Sequence, residues 1–244
     1  MAEPRQLFNE VKLKIRARHM SYRTEKTYLD WIRRFIRFHD RRHPRTMGAT
    51  EVEEFLTSLA VTRQVSASTQ NQALAAVLFL YRDVLEIDLP WLSSVVRAKR
   101  PQRLPVVLTR AEVGRVLERM SGIEWLVASL LYGTGMRLGE CVALRVKDID
   151  LARGEILIRD AKGQKDRVTM LPDALVPHVR AQLARSRSMF ERDRHEKRAG
   201  VTLPNALKRK YPDAATSWSW FWVFPSGSFC IDPYSQELAR HHLY

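Results

Sequence analysis

Cysteine is almost missing from this chain. Cys141 and Cys230 are the two it has, too few for a disulfide framework or for a zinc site of their own. A reducing, cytosolic compartment is the expectation. No apolar run approaches transmembrane length, and no charged-then-apolar leader opens the sequence, so neither a membrane span nor a secretory signal is expected. Internal repeats and low-complexity tracts are also lacking, which sets aside solenoids and disordered tails. Acidic residues are scarce relative to basic ones: 27 Asp and Glu face 41 Lys and Arg.

That imbalance is the first positive signal. A formal net charge of +14 over 244 residues makes a polyanion the expected partner, with nucleic acid ahead of an anionic membrane. Hydrophobic residues make up 45% of the chain, enough for a folded core and for one large or two modest domains. Residues 1–45 carry 13 Lys and Arg against 5 Asp and Glu, so over half of the excess charge sits there. Ser21 is placed to cap a helix running to about His39. On it Tyr28, Trp31, Ile32, Phe35 and Phe38 recur at helical spacing, while Lys26, Arg33, Arg34 and Arg37 lie on the flanks. Such flanks suit a phosphate backbone or a plain solvated face equally well. Thr50-x-x-Glu53 reads as a capping box ahead of Val52, Phe55, Leu56 and Leu59. A further helix is expected from about Thr69 to Leu85, with Leu74, Val77, Leu78, Tyr81 and Leu85 on one stripe. Residues 1–96 thus predict a small helical domain. The proline-interrupted segment 97–108, with Lys99 and Arg100, predicts a basic linker lying along the ligand.

A second domain, 109–244, opens on the capping box Thr109-x-x-Glu112. An apolar helix from Trp125 to Tyr132 runs into Gly133-Thr134-Gly135-Met136-Arg137-Leu138-Gly139-Glu140, where glycines permit a tight reversal and one arginine starts the next helix. Cys141 falls at a core position of that helix. The aliphatic runs Glu155–Arg159 and Asp166–Leu171 flank a Lys-Gly turn and predict a β-hairpin with a charged tip carrying Lys162 and Lys165. An amphipathic helix with Leu175, Val179 and Leu183 follows Pro172. Residues 185–210 hold 9 Lys and Arg against 3 Asp and Glu, and three of the six tryptophans, Trp218, Trp220 and Trp222, fall within five residues. The fold class expected is mainly α with a small β-sheet or hairpin.

The stretch Gly-Thr-Gly-Met-Arg-Leu-Gly-Glu resembles the first catalytic box of the tyrosine recombinases, the phage-integrase family, and the Lys-Gly hairpin resembles that family's lysine turn. The amino-terminal half is similar to its helical, SAM-like core-binding domain. The basic segment running into Ser217–Phe224, together with Arg240-His241-His242-Leu243-Tyr244, resembles the insert of bacterial integron integrases, here about 186–225. The resemblance covers nearly the whole chain. It implies site-specific DNA recombination through a phosphotyrosine intermediate, with Arg137 clamping a phosphate, Lys162 donating a proton to the leaving oxygen and Glu140 orienting the site. Lys165 is the rival to Lys162. No metal or cofactor is implied, because fixed cations can hold the non-bridging oxygens of the reacting phosphate. It further implies folded single-stranded attachment sites with extrahelical bases, against which Trp218, Trp220, Trp222, His241 and His242 are the stacking candidates, and a homotetramer on DNA. Phe221 and Val223 are expected in the core.

The family's His-x-x-Arg box and nucleophilic tyrosine follow the insert and the Arg-His-His element, and neither is found after them in these 244 residues. His39-x-x-Arg42 lies in the helical domain; His195-x-x-Arg198, with Tyr234 beyond it, precedes the tryptophan stretch in a charged context; Tyr244 belongs to the Arg-His-His element. The expectation is therefore a recombinase cut short, binding DNA weakly and unable to cleave it. A non-catalytic protein occupying recombination sites is the competing reading. A basic RNA-binding helical protein has the charge alone in its favour.

Overall fold

The computed structural model describes residues 4–87, 105–161, 165–204, 207–233 and 235–243. The chain divides into two compact units, Met1–Pro105 and Val106–Tyr244. Lys99, Arg100, Lys162, Tyr234 and Tyr244 lie outside the described residues.

Unit 1 is helical: α1 (Pro4–Ala17), α2 (Tyr22–Phe38), α3 (Ala49–Thr57) and α4 (Ala67–Phe79), with α3 and α4 each running on into a π turn. Ser21 caps α2 as its sequence suggests, its Oγ accepting from the Thr24 N–H at 3.1 Å. Trp31, Ile32 and Phe35 are buried against Val11 and Ile15 of α1, Val52 and Phe55 of α3, and Val77 of α4. Tyr81 closes this core, donating its hydroxyl to the Pro44 carbonyl at 3.1 Å. Three expectations are corrected. The capping box expected at Thr50 lies two residues earlier: Gly48 is the cap, its N–H donates to the Glu51 carboxylate at 2.7 Å, and the third helical position is Glu51, not Glu53. α4 starts two residues before Thr69, because the Ser66 hydroxyl caps it at the Thr69 N–H (3.3 Å). Phe38, at the end of its helix, is 43% exposed rather than buried. Unforeseen from periodicity, Glu25 is buried and held by the Arg16 guanidinium at 2.8 and 3.1 Å.

Unit 2 begins with α5 (Arg110–Leu117), whose capping box forms with both arms: Thr109 Oγ1 accepts from the Glu112 N–H and the Glu112 carboxylate accepts from the Thr109 N–H. α6 (Gly122–Thr134) and α7 (Leu138–Val142) follow. Strands β1 (Ile149–Asp150), β2 (Glu155–Ala161) and β3 (Lys165–Met170) make an antiparallel sheet in the order β1-β2-β3. β2 and β3 are the expected hairpin; β1, two residues long, carries too little pattern to be foreseen. α8 (Val176–His195) is a single 20-residue helix, so the start of the expected insert, residue 186, falls inside it. After α9 (Leu207–Lys210), a second sheet pairs β4 (Pro225–Ile231) with β5 (Leu238–His242), a hairpin that the sequence reading did not anticipate.

The unit is built on two apolar clusters. Leu130, Met136, Cys141, Ile156, Ile158, Val179 and Phe224 form one, around the inner face of the sheet. Phe190, Val201, Phe221 and Trp222 form the other, under the tryptophan segment. That segment is fastened to α8 from below: Gln182 Nε2 and Ser186 Oγ both donate to the Val223 carbonyl, at 2.8 and 2.7 Å. Arg240 of β5, 2% exposed, pairs with the equally buried Asp193 of α8; Nη2 reaches Oδ1 at 2.7 Å, Nε makes a second bond to Oδ2, and Nη1 donates to the Ser226 carbonyl at 2.7 Å. A buried pair of this kind is costly to break on one side and cheap to replace as a whole. Asp193→Asn should lower the stability of unit 2 by about 3 kcal/mol in urea denaturation, whereas Asp193→Leu combined with Arg240→Met should recover most of it. Equal losses in the single and double variants would show that the pair does more than fasten the hairpin.

Candidate functional site

α6 ends where Gly135 takes a left-handed backbone (φ +67°), a conformation open to glycine at little cost, and its N–H caps the helix on the Leu131 carbonyl. Two residues before it, Gly133 runs so close to the proline that closes β3 that a Cβ there would sit 2.8 Å from Pro172 Cγ. The turn is thereby seated on the sheet, and Arg137 is delivered as the first residue ahead of α7.

Glu140, one turn into α7, organises what happens next. Its carboxylate accepts from the Arg137 N–H (2.9 Å) and from Arg137 Nη1 (2.7 Å), folding the arginine back over the helix start. From β3, Arg167 donates to the same carboxylate through Nη2 (2.6 Å) and Nη1 (3.2 Å). One acid thus holds two guanidinium groups and leaves a net positive charge. The hydrogen bonds from Arg167, and after them those from Arg137, hold the Glu140 carboxyl at a pKa of about 2 against the partial burial that opposes them. The Arg137 side chain is 58% exposed, so its fork faces solvent with a fixed orientation, which is the arrangement needed to take a phosphate oxygen. On the neighbouring edge, Thr169 Oγ1 donates to the Thr134 carbonyl at 3.2 Å and ties β3 to the end of α6.

Arg137 and Glu140 are therefore brought together as expected. Lys162 lies outside the described residues; Ala161 pairs with Lys165, and Lys165 is exposed at the start of β3. Arg167 was missed. An arginine among the inward positions of a half-buried strand, in register with Ile158, is a signal that could have found it.

The aromatic candidates separate. Trp222, one of the stacking candidates, is a core residue: it is 5% exposed, its Nε1 donates to the Arg240 carbonyl at 2.9 Å, and the Arg145 guanidinium lies 3.7 Å over its ring. Phe221 and Val223 are buried as expected. Trp218 stacks on Phe221 (6.0 Å between centroids) and is half-buried. Trp220 is half-buried, with Lys147 Nζ 2.9 Å from its ring centre. His241 and His242 lie with ring centroids 4.1 Å apart beside Trp222, and burial first of all lowers the pKa of both, favouring neutral imidazoles. In unit 1, Lys26, Arg33, Arg34 and Arg37 are all exposed on α2; Arg34 pairs with Asp30 at 3.0 Å, and the Arg33 guanidinium lies 5.2 Å over Phe8. The two His-x-x-Arg spacings are occupied elsewhere: Arg42 with Glu51 at 3.1 Å, and Arg198 with Glu196.

Glu140 predicts a pH dependence. Its folded pKa of about 2 lies below the ordinary 4.5, so its contribution to stability is complete above pH 4.5 and disappears as pH falls towards 2. Glu140→Gln should remove that limb of the acid-denaturation curve of unit 2. An unchanged curve would mean that Glu140 does not bind the two arginines in solution.

Residues 7–91 match the phage integrase N-terminal SAM-like domain, and residues 107–235 match the phage integrase family. Proteins described as integrase/recombinase from Escherichia coli and Pseudomonas aeruginosa are each 52% identical over 238 residues, covering 98% of this chain and 71% of theirs. Among solved structures, the Tn1549 transposon integrase in complex with a circular intermediate DNA is similar over 91% of this chain and 71% of that one, with a TM-score of 0.53 at 15% identity, a likeness of fold. No helix among the described residues is long and apolar enough to cross a membrane. On these grounds the chain belongs to the phage integrase family of tyrosine recombinases, with the SAM-like domain at its amino-terminal end.

Proposed function

We propose that the chain is an integron-type member of this family, which recombines gene cassettes at folded single-stranded attachment sites. The observation that carries the reading is the Arg137–Glu140–Arg167 centre: a fixed, solvent-facing guanidinium whose partner carboxylate stays ionised at any physiological pH. Such a group stabilises charge on a phosphate that is being transferred, with Lys162 of the adjoining hairpin as proton donor to the leaving oxygen. The net charge of +14 and the exposed cations of α2 supply the sequence-independent part of the grip on DNA. DNA complexes of the similar transposon integrase support the same partner. Residues 1–96 would act as the core-binding domain, 97–108 as the basic linker and 109–244 as the domain carrying the centre, assembled as a homotetramer on DNA.

Mobility-shift titration at fixed salt should show tighter binding to a folded attachment-site hairpin than to the fully paired duplex of the same sequence. Arg33→Ala with Arg37→Ala should weaken binding to both and reduce the salt slope by about 2. Preference for the duplex would defeat the proposal.

A further inference from the structure

Arg137 keeps most of its guanidinium turned to solvent, although an ionised carboxylate lies beside it. Left to itself such a pair closes, because an arginine fork and a carboxylate fit through two parallel N–H donors. Arg137 gives Glu140 only one side-chain donor, Nη1, at 2.7 Å. Its Nε and Nη2, which share one edge of the guanidinium, have no partner among the described residues. Something must keep Glu140 from taking that edge as well.

The carboxylate is already full. Glu140 Oε1 accepts from Arg137 Nη1 and from Arg167 Nη1 (3.2 Å); Oε2 accepts from the Arg137 N–H (2.9 Å) and from Arg167 Nη2 (2.6 Å). An ionised carboxylate has about four lone-pair sites, two on each oxygen, so these donors saturate it. Arg167 fills half of them from another element. Strand alternation puts it there: Arg167 and Thr169 share the inward face of β3, in register with Ile158 and Ile156, and Thr169 is tied to the end of α6. The charged groups facing Glu140 are Arg137, ahead of its own helix, and Arg167, from β3. β2 brings Ile158 to the register position of Arg167 and α6 brings Thr134 to Thr169, and neither titrates. The hydrogen bonds from Arg167 are the largest influence holding the Glu140 carboxyl down at about 2.

We propose that Arg167 is a positioning residue: it saturates Glu140 and thereby keeps the Nε and Nη2 donors of Arg137 free to take two oxygens of a phosphate. Without Arg167, two vacated acceptor sites would draw in the Arg137 fork, and an incoming phosphate would have to break a closed pair. The charge balance points the same way. With Arg167, two guanidinium groups face one carboxylate and one positive charge is left over; without it, none is. Arg167 acts through Glu140 and touches no substrate atom itself. The inference rests on the proposed reading of Arg137 as the group that takes the phosphate, and adds what keeps that group available.

The test titrates the whole chain with sulfate, an isostere of phosphate that stays doubly charged on mild acidification, and follows the Arg137 Nε–H resonance by NMR. Arg167→Gln should weaken sulfate binding at Arg137 about tenfold, the worth of one charge-assisted hydrogen bond. Arg167→Lys, which keeps the charge and loses the fork, should recover only part of that loss. In a Glu140→Gln background, where no carboxylate competes for Arg137, Arg167→Gln should cost less than about twofold. Acidification from neutral pH should strengthen sulfate binding by the Arg167→Gln variant. Its Glu140 pKa rises once the bonds from Arg167 are gone, and protonation then releases Arg137; the parent should stay level over the same range. Equal losses in the two backgrounds would overturn the proposal and make Arg167 a direct anion contact. Full recovery by Arg167→Lys would overturn it in favour of charge alone. An Arg137 resonance that sulfate leaves unmoved in the parent would instead sink the reading of Arg137 beneath it. Circular dichroism of each variant should match that of the parent; if Arg167→Gln alone does not fold, Arg167→Lys with and without Glu140→Gln makes the same comparison.

Discussion

One carboxylate sets the geometry of the centre. Glu140 bonds to the backbone and the side chain of Arg137 and, at the same time, to Arg167 on the adjoining strand. The turn at Gly135, the short helix α7 and strand β3 are joined through that one group. Its ionised form is favoured by both guanidinium groups, so the arrangement persists over the physiological pH range. Without it, Arg137 would be a flexible surface arginine like many others in a chain of charge +14.

The same device recurs further along unit 2. Asp148 gathers Arg145 and Arg159, and Asp193 holds Arg240. In each case an acid buried or half-buried in the domain fixes the direction of an arginine from another element: Arg167 for Glu140, Arg159 for Asp148 and Arg240 for Asp193. Acidic residues are few in the sequence, and several of them do this work at positions where an unpaired charge would be costly. The basic excess that remains faces outward: on α2, on the hairpin at Lys165, and around Trp220.

Capping chemistry, helical periodicity and the hairpin pattern were legible because they are local. Ser21, Thr109 and Gly135 act through backbone groups within a few residues, and Val52, Phe55 and Leu59 face inward because a helix repeats every 3.6 residues. The glycine-bracketed Arg137 with Glu140 three positions on was legible for the same reason. Two-residue β1 and the β4–β5 hairpin were not, since the first is too short to show alternation and the second is held by Arg240 and the Trp222 indole rather than by a strong turn signal.

The sequence alone determined that the chain would fold as a helical domain followed by a mixed one, that its charge would favour a polyanion, and that Arg137 would stand at a tight turn with Glu140 beside it. These follow from composition and from contacts spanning a helical turn or less. Only the tertiary structure decided which charges meet across long separations: Arg167 on Glu140, Arg240 on Asp193, and Lys147 on the ring of Trp220. It also decided that Trp222 packs in the core while Trp220 stays half-exposed, two positions apart in one aromatic run. Burial of that kind depends on what the rest of the chain brings against each ring, and no spacing within the run encodes it.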